Sequence, residues 1–181
     1  MCGAKNRSFK TAILASALGA FLAAAPAHAD TDTTTSTAAI LRRLEFIKID
    51  DLNFGTMYAG TTAGTVTLAP NGTRTKTGGV TLHGTSHKVA EFAGWGTYNQ
   101  RVSVSLGSNS IFITGPGPAM RVRTFVIGST PTAVLTTNPQ VFRIASTNGL
   151  FQFPVGATLE VAANQPAGTY TGNWNITLNY Q

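Results

Sequence analysis

Thr169-Tyr-Thr-Gly-Asn-Trp-Asn-Ile-Thr-Leu-Asn-Tyr180 decides the fold class. Trp174, Ile176, Leu178 and Tyr180 share one parity, and Asn173, Asn175, Thr177 and Asn179 share the other. Successive side chains of a strand point to opposite faces. The stretch therefore predicts a strand with one buried and one wet face, as in an antiparallel sheet. Pro166-Ala-Gly168 just before it reads as a turn.

The same period recurs upstream. Val66-Thr-Leu68, Val80-Thr-Leu82, Val102-Ser-Val-Ser-Leu106 and Ile111-Phe-Ile113 read as strands, as do 121–127, 141–145 and 158–163. Gly115-Pro-Gly-Pro118 is a loop that no strand crosses. No stretch of this part keeps a helical period, and its frequent Thr suits pleated surfaces. Short strands with Gly, Pro and Asn punctuation predict an all-β, Ig-like antiparallel β-sandwich in one domain, 44–181.

The N-terminus follows another logic. Lys5, Arg7 and Lys10 precede an apolar run from Thr11 to Ala25, and Ala27-His-Ala29 is a small-x-small cleavage pattern. Residues 1–29 read as a secretory signal peptide, and the run is shorter than the roughly 20 residues that span a bilayer. Residues 30–43 read as a flexible arm, Thr-rich up to Thr37 and apolar from Ala38. From there the phase slips. Ile40, Leu44 and Phe46 share one parity, and Leu41, Ile47 and Ile49 the other, with Arg42-Arg43 at the break.

Composition narrows the function. Charged residues are 11%, against about 25% in typical domains, which excludes a coiled coil or a charged disordered tail. The single Cys, Cys2, lies in the leader, so no disulfide framework or Cys-based zinc site is expected. Loss of the leader's three basic residues lowers the formal charge from +6 to +3. With basic residues scattered and an export signal present, nucleic acid is not an expected partner.

Catalytic templates fail. There is no Gly-x-Ser-x-Gly elbow and no phosphate-binding Gly-Lys-Ser/Thr loop. His83 and His87 have metal-ligand spacing only on a helix, and Gly84, Thr85 and Ser86 between them point to a loop. Asp50-Asp51 reads as a solvated turn. We therefore expect no catalytic residue, metal or cofactor. Trp95 and Tyr98, with Tyr58, fit a core Trp and loop tyrosines; their functional reading is an exposed glycan platform at Trp95 and Tyr98.

A wider set of motifs carries a resemblance. Leu52-Asn-Phe-Gly55, Gly64-Thr-Val66, Pro70-Asn-Gly72, Ala90-Glu-Phe92 and Met120-x-Val-x-x-Phe125 precede Val155-Gly-Ala-Thr-Leu159 and Pro166-Ala-Gly-Thr-Tyr-Thr-Gly172. Alternation then runs to a penultimate Tyr180. Over residues 44 to 180 this resembles a bacterial domain-of-unknown-function family of small exported proteins, similar in pattern to chaperone–usher pilins and spore-coat-U-type proteins. The resemblance implies a pilin-like sandwich lacking one strand, which is supplied in trans. A periplasmic chaperone lends it first, and the arm of a neighbouring subunit of the same or a related chain replaces it, by β-augmentation. Trp174, Ile176, Leu178 and Tyr180 would form the acceptor strand. The donor would be the arm with Ala38, Ala39, Ile40 and Leu41, although its apolar residues are consecutive rather than alternating.

The expectation is an exported, non-catalytic structural subunit of a fimbria-like or surface-coat polymer. It would pass through the periplasm to the cell surface or medium and not stay in the membrane after cleavage. It could also contact surface glycans. Two alternatives stand beside it: a small outer-membrane β-barrel of eight strands, and a self-complete glycan-binding sandwich.

Overall fold

The computed structural model describes residues 34–129 and 132–181. The predicted signal peptide, its cleavage site and the first residues of the arm lie outside the described residues. The chain divides between Ala38 and Ala39 into two units, and the β domain belongs to the second, Ala39–Gln181.

Residue parity sorts the first strand. In β1 (Glu45–Asp50) Phe46 turns inward and half-buried, while Ile47 is 60% exposed and Ile49 also faces out. The slip in the sequence is thus settled in favour of the Leu44–Phe46 phase. β1 pairs antiparallel with β6 (Ala90–Trp95), with Phe46 opposite Gly94. A separate two-stranded sheet joins β2 (Thr56–Tyr58) to β5 (Thr81–His83). β3 (Gly64–Leu68) pairs with β4 (Arg74–Gly78) as a hairpin.

The organising strand is β12 (Leu150–Val161), the longest of the described strands. Leu150–Val155 pair with β6, and Ala157–Val161 pair with β3. The partners change at Gly156, where an added Cβ would stand 2.1 Å from the Leu68 carbonyl oxygen, so only glycine allows this approach. β9 (Met120–Ile127) also pairs with β12, with an irregularity at Gly156/Thr158 on the β12 side. Thr124 on β9 sits within it at φ 53°, the left-handed region that bulged strands use. β8 (Ser110–Ile113) and β10 (Ala133–Val134) flank β9. The second layer is a three-stranded sheet, β11 (Gln140–Arg143), β7 (Arg101–Leu106) and β13 (Ile176–Tyr180), in that order.

The core lies where the inner faces meet. Val66, Leu68, Val122, Phe125, Ile127, Val155 and Leu159 are buried from one side, and Val104 and Leu106 from β7. Each such side chain contributes roughly 1.5–3 kcal/mol by leaving water. Aromatic rings extend this core: Phe46 stacks on Phe92 at 5.3 Å, and Phe92 on Phe153 at 5.6 Å. Trp174, just before β13, joins the layers, 4.8 Å from Phe125 and edge-on to Phe92 at 5.7 Å.

The described residues contain no helix. The sheets are antiparallel and form no closed barrel, an architecture consistent with a β-sandwich. The eight-stranded barrel that the chain length allowed is therefore not the architecture. Among the described residues, no helix is long and apolar enough to cross a membrane.

Candidate functional site

Strict alternation gives β13 an apolar inner row, and its pairing with β7 alone makes it an edge strand. Its ladder to β7 runs from Ile176↔Leu106 to Tyr180↔Val102. Among the described residues, no strand pairs with its other edge. The inner faces of the two strands differ in cover. Val102, Val104 and Leu106 of β7 are 5%, 1% and 4% exposed. Trp174, Ile176, Leu178 and Tyr180 are only half-buried. The four predicted acceptor residues are thus brought into one row, beside a free backbone edge.

That edge is unguarded. Among the described residues, three strands of five residues or more have a single partner: β1, β4 and β13. β1 carries Glu45, Lys48 and Asp50, and β4 carries the exposed Lys76, charges that discourage pairing with another chain. β13 carries no charge and no Pro.

The hydroxyl of Tyr180, the last residue of β13, donates to the carbonyl of Arg42, just before β1 (2.9 Å). Ile144, which follows β11, the Tyr180 hydroxyl and Leu44 all meet at Gly96.

The predicted donor residues are available but unplaced. Ala38, by itself, is exposed and outside regular structure. In the domain unit Ala39 is exposed, Ile40 is 96% exposed and Leu41 lies open as well.

The two platform candidates are exposed but not joined. Trp95 is 44% exposed, so the expected core position belongs to Trp174 instead. Phe92 and Gly94 face inward, and the strand period turns Trp95 out. Its indole Nε1 donates to the Asn148 carbonyl (3.0 Å), and the Arg42 guanidinium lies 5.2 Å from its ring centroid. Tyr98 is exposed in the following turn, and the described ring contacts do not link it to Trp95. Beside Trp95 lies a shallow recess of about 370 Å³, bounded by Glu45, Ile47, Ala93, Leu150 and Gln152.

His83 packs edge-on to Tyr58, and His87 Nε2 lies 3.2 Å from the Gly72 carbonyl. Among the described residues no three His, Cys, Asp or Glu side chains come together. Asp50 is bound by Lys88 (2.7 Å), whose pKa is raised by that hydrogen bond and then by the carboxylate's charge.

Sequence reasoning missed Arg42 and Thr97. Thr97 is a turn residue with no pattern around it, and Arg42 was read only as the break in the strand phase.

An antiparallel β-sandwich is the class that these features define. The model of the domain of unknown function DUF4402 matches residues 44–180, and the chain belongs to that family. Neither the curated proteins nor the solved structures contain a match to this chain.

Proposed function

We propose that this chain is an exported structural subunit of a fimbria-like or surface-coat polymer, non-catalytic and assembled by strand addition. The observation that carries the reading is β13: uncharged, paired on one side only, with a half-buried apolar row along it. An edge of this kind templates pairing with another chain. A strand laid along it gains backbone hydrogen bonds, and its alternate side chains fill the row. The occupant we infer is a periplasmic chaperone first and the arm of a neighbouring subunit afterwards. Contact between unlike surfaces is head-to-tail and gives open fibres where the rotation between copies does not close a ring. The resemblance to pilins and spore-coat-U-type proteins points the same way.

The test is an SDS gel of surface-extracted native protein, unheated and boiled. A ladder that collapses to one band on boiling is the expected result. Deleting residues 30–41 should remove the ladder while the domain, supplied with its chaperone, still folds. A ladder unaltered by that deletion overturns the reading.

The recess beside Trp95 favours a second reading, in which the subunit also meets surface glycans. Saturation-transfer NMR with simple sugars tests it; absence of transfer to any sugar, or transfer unchanged by Trp95→Ala, excludes it.

A further inference from the structure

The Tyr180 hydroxyl sits where three parts of the domain meet. It donates to the Arg42 carbonyl (2.9 Å) and accepts from the Thr97 amide (2.8 Å). Thr97 Oγ1 in turn accepts from the Arg42 amide (2.7 Å). Both backbone groups of Arg42 are therefore bonded, although Arg42 belongs to no strand. Its guanidinium rests over Trp95, where the ring quadrupole attracts a cation. Gly96 leaves the room this needs: an added Cβ would stand 2.7 Å from the Tyr180 hydroxyl and 2.6 Å from Ile144 Cδ1. Two residues before this anchor, Ile40 is 96% exposed.

Chain direction gives the anchor a consequence. Tyr180 ends β13, and Arg42 precedes β1. A segment ending at Arg42 and laid along the free edge of its own β13 would run toward the Tyr180 end, as β13 itself does. That pairing would be parallel, which is slightly less stable per residue than antiparallel pairing. It would also require the chain to turn at a residue whose amide and carbonyl are already committed. An arm from a second copy is under neither constraint and is free to run antiparallel.

We propose, resting on the strand-addition reading above, that Arg42, Thr97 and Tyr180 form a latch. The latch holds the chain's own Ala39–Leu41 segment off its own β13 edge and reserves that edge for the arm of a second copy. Tyr180 is then a positioning residue as well as a member of the acceptor row.

The reporter is a thiol in the full chain, with Cys2→Ser and Ile40→Cys, titrated with an aromatic disulfide reagent on the isolated monomer. With the latch intact the thiol should react as an unstructured one. Tyr180→Phe keeps the ring and removes the hydroxyl; Thr97→Val removes the acceptor of the Arg42 amide and leaves Tyr180 untouched. In both, the rate should fall about tenfold, as expected for a self-bound arm populated about ten to one. Equal rates in all three backgrounds overturn the latch. If Tyr180→Phe fails to fold, Thr97→Val alone decides. The ladder on the unheated gel reads strand addition separately, so failure of the latch and failure of strand addition are told apart.

Discussion

Trp174→Ala should cost this domain far more than Trp95→Ala, although both positions hold the same residue type. Trp174 is more than half-buried, 4.8 Å from Phe125 and edge-on to Phe92 at 5.7 Å. An aromatic side chain buries about 150–250 Å², and at about 25 cal/mol per Å² the covered share of Trp174 is worth roughly 3–4 kcal/mol. Two ring pairs add about 0.5–1.5 kcal/mol each. Relaxation into the cavity returns part of this, so about 3–5 kcal/mol is the expected loss, in line with buried Trp→Ala changes generally. Trp95 is 44% exposed, with one hydrogen bond and one cation contact, and about 1–2 kcal/mol is expected there. Urea unfolding followed by far-UV circular dichroism measures both. With a slope of about 2 kcal/mol per molar, Trp174→Ala should lower the midpoint by about 2 M and Trp95→Ala by less than about 1 M. Equal shifts, or a larger one for Trp95→Ala, would refute the assignment of Trp174 as the residue that joins the two layers.

Other perturbations separate local effects. Thr124 is β-branched and exposed at φ 53°, so Thr124→Gly should relieve strain and raise stability by about 1 kcal/mol, read as a higher thermal midpoint. Arg74 donates to the carbonyls of Phe54 (2.9 Å), Thr56 (3.3 Å), His83 (3.2 Å) and Gly84 (2.6 Å), holding the β2–β5 sheet to β4. Arg74→Lys cannot reproduce that fork and should cost about 2–4 kcal/mol, with faster amide exchange confined first to Thr56–Tyr58 and Thr81–His83. Lys88 has a raised pKa in the folded state, so its stabilising share is complete below the ordinary value of 10.5 and lost as pH rises through the raised one. The urea-midpoint difference between wild type and Asp50→Asn should therefore be constant from pH 7 to 9 and shrink above 10.5; a difference that persists unchanged would remove Lys88 as its source.

Legibility in the sequence followed the strength of alternation. β13 and β7 alternate without interruption, and both were readable with their inner faces assigned. The first half of β12 was not, because Pro154 and Gly156 look like punctuation. In the fold Pro154 lies opposite Glu91 and still offers its carbonyl to the Gly128 amide. Gly156 marks a change of partner rather than an end. β6 was hidden for a similar reason: Gly94 reads as a turn, yet here it makes room for the Phe151 ring, whose Cζ would lie 2.2 Å from an added Cβ. β4 has no apolar alternation, and only its pairing with β3 reveals it. The predicted strand from Thr169 begins later, at Ile176, because Thr171 bridges to Thr114 instead. The acceptor row was legible, since one strand carries it. The Arg42–Thr97–Tyr180 contacts were not, since they join residues 55 and 138 positions apart.

In the strand-addition proposal the β13 edge takes a partner long enough to cover it, and the arm of this chain has that length. β13 has five residues and is about 17 Å long. The eight residues Thr34–Leu41 reach up to about 27 Å when extended, enough to line the edge of another copy from end to end. Whichever parity of the arm faces inward, it presents one large and one small apolar side chain: Ile40 with Ala38, or Leu41 with Ala39. Side-chain filling of the acceptor row is then modest, and backbone hydrogen bonds carry most of the affinity. Such bonding follows the length of the ladder more than the identity of the residues, which is compatible with a Thr-rich arm. In that proposal the burden of selecting the occupant also falls on geometry, and the contacts that fix Arg42 beside Tyr180 are its proposed source.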